Sequence, residues 1–146
     1  MTFFLDNNLS PILAEGLRAF GEDVRHLREV FPPDTPDEAW LPEIGQRGWF
    51  LVTHDKRIPR KASQLEALLQ AEVGAFVFTH RRRLTRWGWV ELVVRRWAEI
   101  ASWAERLERP FVVGIPERGA LRRLRVDPQE AALRCSIGML TRLGLL

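Results

Sequence analysis

Short runs of uninterrupted apolar residues alternate along this chain with longer stretches that place apolar residues at helical spacing, and the clearest run is Ala75-Phe76-Val77-Phe78. Successive side chains of a strand point to opposite faces, so a strand that is apolar throughout must be covered on both. Helices between the strands supply that cover, and strands joined through helices lie parallel. The expected fold class is therefore α/β, a three-layer α/β/α sandwich around a mainly parallel central sheet. With 146 residues and 46% hydrophobic content the chain suits a single domain over 1–146, its core at about 1–116 and a terminal hairpin and helix at 117–146.

Local signals place the elements. Phe3 to Leu5 is a first strand, and Ser10-Pro11 reads as an N-cap followed by a first-turn proline. Ile12, Leu13, Leu17 and Phe20 then recur at helical spacing, and Gly21 ends that helix. A second strand fits Val24 to Leu27. Past Pro32-Pro33, the run Thr35-Pro36-Asp37-Glu38 matches a capping box, and Pro42 predicts a kink or two short helical pieces. Trp49 to Val52 is a third strand, Ser63-Gln64-Leu65-Glu66 a second box-like helix start, and Ala75 to Phe78 the fourth strand.

The longest helix is expected from about Thr85 to Leu107, with Val90, Val93, Trp97, Ile100, Ala104 and Leu107 on one stripe and its tryptophans in the core. Phe111 to Ile115, the turn Glu117-Arg118-Gly119 and Ala120 to Val126 read as a hairpin at the sheet edge. Asp127-Pro128-Gln129-Glu130 opens a final helix carrying Leu133, Ile137, Leu140 and Leu143, weakened at Gly138. That helix is a candidate for self-association.

Met1 to Asp6 shows no basic segment leading into an apolar one, and no window approaches the ~18 apolar residues of a membrane span, so a cytoplasmic location is expected. Cys135 is the one cysteine and makes no zinc-like spacing with His26, His54 or His80. Charge is uneven. Residues 1–78 carry 8 Lys+Arg against 12 Asp+Glu, whereas 79–146 carry 14 against 7. Lys56 and Lys61 are the only lysines, so the positive charge is almost all guanidinium, the group best matched to phosphate. A polyanionic partner is favoured over an ordinary solvated surface.

Three aspartates fall where a parallel sheet would gather them. Asp6 ends the first apolar run, Asp55 follows the third, and Asp37 lies just inside a helix start between them. The carboxyl ends of parallel strands open onto one crevice. Two carboxylates ~4 Å apart at an effective dielectric near 20 repel by about 4 kcal/mol, so a cluster of three ionises only around a cation. Oxygen ligands select hard ions such as Mg²⁺ or Mn²⁺, which can activate water against a phosphodiester. The run His80-Arg81-Arg82-Arg83 and Arg86 follow the fourth strand, bordering that crevice as candidate phosphate-binding residues.

Phe3-Phe4-Leu5-Asp6, Asp37-Glu38-Ala39-Trp40 and Leu51-Val52-Thr53-His54-Asp55, in this order and spacing, resemble the PIN-like nucleases over roughly residues 3 to 78, particularly the short branch found among toxins of bacterial toxin-antitoxin pairs. The resemblance implies a metal-dependent endoribonuclease with Asp6, Asp37 and Asp55 as catalytic Mg²⁺ or Mn²⁺ ligands. It also implies Thr53 and Glu38 as supporting residues, RNA as substrate, and a small antitoxin as partner, and Asn7, next to Asp6, is a further supporting candidate at the metal or substrate. The larger family usually carries a further Glu before the equivalent of Asp37; here Glu29 and Asp34 stand in that interval, and Glu38 just past it.

Two other readings share the pattern. A receiver domain would use Asp55 as phosphoacceptor and Asp6 as metal ligand, but it requires a lysine after the fifth strand, where Gly114-Ile115-Pro116-Glu117 stands. A catalytically inactive module would hold RNA or protein through the arginine face. Structural roles compete residue by residue: Asp37 and Glu38 suit a helix N-terminus through the dipole, worth ~0.3–1 kcal/mol each. Asn7 and Asn8 suit a turn, and Trp87 and Trp89 suit packing against the sheet as well as stacking on bases.

Overall fold

The apolar runs become strands β1 (Phe3–Leu5), β2 (Val24–His26), β3 (Phe50–Thr53), β4 (Gly74–Phe78) and β5 (Phe111–Ile115), with β6 (Arg122–Arg123) after them. Helices α1 (Pro11–Ala19), α2 (Leu27–Val30), α3 (Asp37–Gln46), α4 (Ala62–Gln70) and α5 (Arg86–Arg106) connect them. The computed structural model describes residues 1–126, 129, 137 and 139–145. The sheet order is β2-β1-β3-β4-β5-β6, parallel throughout except that β6 returns antiparallel to β5.

Alternation along the strands sorts the core into two halves. Phe3, Leu5, Val52, Phe76, Phe78 and Val113 face α1 and α5, where Leu13, Leu17, Val93, Trp97 and Ile100 meet them. Phe4, Leu51, Ala75, Val77 and Val112 face the other way onto Trp40, Leu41, Ile44 and Leu68 of α3 and α4. Each fully buried large side chain contributes about 1.5–3 kcal/mol, so the three-layer sandwich follows from having two apolar faces to cover.

The helix starts expected at Ser10 and at about Thr85 hold through direct bonds. Ser10 Oγ accepts the Ile12 N–H at 3.3 Å and Thr85 Oγ1 accepts the Gly88 N–H at 3.0 Å. Gly21, at φ 92°, takes the left-handed conformation that ends α1. The two capping boxes between them do not form. Thr35 Oγ1 donates to the Pro32 carbonyl at 2.7 Å instead, leaving Pro36 as an N-cap without a side-chain bond. Lys61, not a residue of the Ser63 run, precedes α4, so Ser63 is already inside the helix. Nor is α3 divided, since it runs as one helix through Pro42.

Other differences are smaller but matter for the site. β3 is shifted by one residue, so Thr53 is its last member rather than a loop residue. β2 stops at His26, whose ring caps the unexpected helix α2 by accepting the Arg28 N–H at 3.1 Å while its other nitrogen bonds the Leu9 carbonyl at 2.8 Å. The hairpin is tied to α5 by buried Arg96, which donates to the carbonyls of Pro116 and Gly119. Trp87 is 70% exposed and does not pack in the core. Of the expected final helix, Asp127, Pro128, Glu130, Leu133 and Gly138 lie outside the described residues, while 139–142 are helical. Among the described residues no helix is long and apolar enough to cross a membrane.

α3 and α4 meet at a close backbone approach. A Cβ on Gly45 would lie 2.3 Å from the Ala71 carbonyl oxygen, and backbone cannot yield as a flexible side chain can. Gly45→Ala should therefore destabilise the fold by about 1–3 kcal/mol, despite alanine's better helix propensity. Urea unfolding measures this directly, and an alanine variant as stable as the parent contradicts the tight contact.

Candidate functional site

β1 lies between β2 and β3, so the chain leaves β1 in one direction and continues on its other side. This reversal opens a crevice at the carboxyl ends of β1 and β3, the place where open α/β sheets bind ligands. Asp6 follows β1 immediately, and Thr53 and Asp55 come from the end of β3. The Thr53 hydroxyl joins them. It donates to Asp6 Oδ2 at 2.5 Å and accepts the Asp55 N–H at 2.9 Å.

Both aspartates also close a local turn. Asp6 Oδ1 accepts the N–H of Asn8 at 3.1 Å, and Asp55 Oδ1 that of Arg57 at 3.0 Å, the two-residue reach of an Asx turn. Asp55 is further held by the Arg57 guanidinium, with Nε on Oδ1 at 2.9 Å and Nη2 on Oδ2 at 3.0 Å. Asp37 begins α3, half-buried, and accepts Gln64 Nε2 at 2.8 Å. That bond comes from α4, so the packing of α3 on α4 positions the third carboxylate.

Asp6 is 3% exposed, and its burial, opposed by bonds from Thr53 and Asn8 and reinforced by the charge of Asp37, pushes its pKa up to about 6. Burial also raises Asp37, followed by repulsion from Asp55 and Glu38. Asp55 is 6% exposed, but the bonds and charge of Arg57, with the charge of Lys61, outweigh its desolvation and hold it below the usual range. The three carboxylates thus share one electrostatic field. They do not form a preassembled cage: among the described residues, no three of His, Cys, Asp and Glu are grouped to hold a metal ion.

The donor set nevertheless suits a hard divalent ion in kind. A buried carboxylate raised towards neutrality is short of counter-charge, and the direct ion pair of Arg57 goes to Asp55.

Several expected members stand elsewhere. Asn7 points away, bonding the Pro33 carbonyl at 2.7 Å and Arg28 at 3.3 Å, and its neighbour Asn8 holds Asp6 instead. Glu29 is taken up by Arg18 and by the His26 N–H. Glu38 is exposed and reaches Asp37 through its charge rather than through a bond. His80 does not belong with the basic rim. It is buried, its ring stacked on His54 with centroids 4.5 Å apart and edged by Trp89 at 4.8 Å, and burial first, then His54 and Lys56, lowers its pKa to about 4.

Arg81, Arg83 and Arg86 are exposed beyond β4, while Arg82 is paired with Glu117 of the hairpin. Arg86 also lines an apolar cleft with Asn8, Leu9, Ile12 and Trp89, next to the turn that holds Asp6. Asn8, Arg57, Gln64 and His54 were not singled out from the sequence. For Asn8 and Arg57 the available signal was an Asp two residues before a turn amide.

Two buried groups make opposing contributions to stability as pH changes. Asp6 titrates near 3.8 unfolded and about 6 folded, so its contribution is full below 3.8 and lost as pH rises through about 6, with Asp37 in the same direction. His80 titrates near 6.5 unfolded and about 4 folded, so its contribution is full above 6.5 and lost as pH falls through about 4, with His54 in the same direction. Wild type should therefore change little between about pH 4 and 6.5, whereas Asp6→Asn should gain stability with rising pH. Urea midpoints across that range check this, and superimposable profiles would show that Asp6 has no raised pKa.

A sequence model of the family described as a PIN like domain matches residues 1–80, more than half of the chain and all of the segment that carries Asp6, Asp37, Thr53 and Asp55. No curated protein and no solved structure matches it.

Proposed function

We propose that this chain, which belongs to the PIN-like domain family, a superfamily of nucleases, is a divalent-metal-dependent endoribonuclease and the toxin of a toxin-antitoxin pair. The observation that carries the reading is the hydroxyl bridge from Asp6 through Thr53 to Asp55 at the sheet's switch point, with the charge of Asp37 acting on both carboxylates. Strand ends hold these groups more precisely than loops could.

Asp6, Asp37 and Asp55 are the proposed ligands of Mg²⁺ or Mn²⁺. When bound, such an ion neutralises charge on a scissile phosphate and lowers the pKa of a coordinated water. The protein's part is positioning. Thr53 fixes the rotamer of Asp6 while spending its own lone pair on the Asp55 amide, so one hydroxyl ties the Asp6 carboxylate to the backbone that carries Asp55. Gln64 aims Asp37 from α4, its neighbour in the same helix layer. Arg81, Arg83 and Arg86 hold backbone phosphates on the rim, with Arg82 contributing once it leaves Glu117. The neutral His54–His80 pair and Trp89 form an apolar wall beside Asp55. The proposed antitoxin covers this crevice.

One observation favours a second reading, that of a metal-independent RNA-binding or protein-binding module: Arg57 already neutralises Asp55. Incubation with total RNA and defined tRNAs, with and without Mn²⁺, separates the two. The nuclease reading expects cleavage only with Mn²⁺, reduced about a hundredfold or more in Asp6→Asn and Asp55→Asn. RNA binding without cleavage, indifferent to metal, supports the module, and undiminished cleavage by either variant removes the carboxylates from the mechanism.

A further inference from the structure

We propose that Arg57 is the resting counter-cation of the carboxylate cluster, displaced when a divalent ion enters, and that its released guanidinium then binds the substrate phosphate. The inference rests on the metal-dependent reading above and deepens it, because it makes metal entry the event that completes the RNA site.

Asp55 has both oxygens engaged by one planar fork, at 2.9 and 3.0 Å, so the guanidinium competes with an ion for the same carboxylate. Arg57 is the cation able to leave. Its side chain is 66% exposed, so breaking the pair disturbs no packing, whereas Lys56 is committed to the His80 carbonyl at 2.5 Å. The Arg57 amide stays on Asp55 Oδ1 at 3.0 Å, which keeps the turn closed and the side chain tethered at the crevice after release.

The guanidinium is also the group on which Asp55, Asp37 and Asp6 all act, so a divalent ion among them competes for the same field. Freed from a carboxylate, the fork has the geometry to take two phosphate oxygens.

Calorimetric titration with Mn²⁺ at fixed ionic strength, on wild type, Arg57→Gln and Arg57→Lys, tests the first half. Arg57→Gln should bind Mn²⁺ roughly two- to tenfold more tightly, with Arg57→Lys between the two. For the second half, a non-cleavable 2′-O-methyl RNA oligonucleotide should bind Arg57→Gln more weakly than wild type only when Mn²⁺ is present, its salt slope smaller by about 0.7. Mn²⁺ binding by wild type with equal or weaker binding by Arg57→Gln overturns the proposal and leaves the nuclease reading standing. No Mn²⁺ binding by either protein, both folded by circular dichroism, overturns the two together.

Discussion

A carboxylate held almost wholly out of water at the junction of β1 and β3 is the constraint around which this molecule is arranged. Ionised and alone it would be costly, and a buried polar group is tolerated only with partners. Asp6 receives hydrogen bonds from Thr53 and Asn8 but, among the described residues, no direct ion pair, and these bonds do not outweigh its desolvation. Everything nearby responds to that deficit. Thr53 must be a strand residue for its hydroxyl to reach across from β3, and β3 must neighbour β1, as it does in register from Phe3–Phe50 to Leu5–Val52. The sheet order is thus a condition of the site.

The surroundings divide the labour of charge. On the side of α3 and α4, Asp37 adds a negative charge and Lys61 a compensating positive one. Next to Asp55, the stacked imidazoles are kept neutral by burial, since protonating both would place two like charges 4.5 Å apart, ring to ring. Two histidines beside three aspartates might have formed ion pairs; instead they provide a low-dielectric wall, which strengthens every remaining interaction in the crevice. The folded protein therefore keeps an acidic centre that its own side chains only partly satisfy, as sites that await a ligand do.

What could be read from the sequence was what depends on near neighbours. The apolar runs, the proline after Ser10, and the stripe from Val90 to Leu107 each report a period of two or 3.6, and α5 starts and stops within a residue of its expected limits. The box at Thr35 lost to a local competitor, its hydroxyl bonding backward to Pro32, and the Ser63 run lies inside α4, where Gln64 bonds Asp37 instead. Convergence of Asp6 and Asp55 was legible because helical crossovers make the strands parallel and so bring their carboxyl ends to one edge. The roles of Arg57 and His80 were not. A loop arginine reads as a solvated charge, and a histidine heading an arginine run reads as basic until burial is known.

Arginine serves two purposes here, and they separate in space. Arg96, Arg95 and Arg82 brace the hairpin against α5 through carbonyls and Glu117, so part of the positive charge of the second half belongs to the fold. A guanidinium suits that task because one planar fork can satisfy two carbonyls at once. Arg81, Arg83 and Arg86, all exposed, stand at or just before the start of α5, which carries Arg86 at its first position and no acidic residue in its first turn. A cation there opposes the helix dipole by about 0.3–1 kcal/mol, and stability alone would place Asp or Glu at that end. The same choice concentrates positive potential from both the dipole and the side chain on the crevice that Asp6 and Asp55 line. A helix start that forgoes its own stabilisation beside a carboxylate short of counter-charge is the arrangement that the proposed metal and anionic substrate would jointly repair.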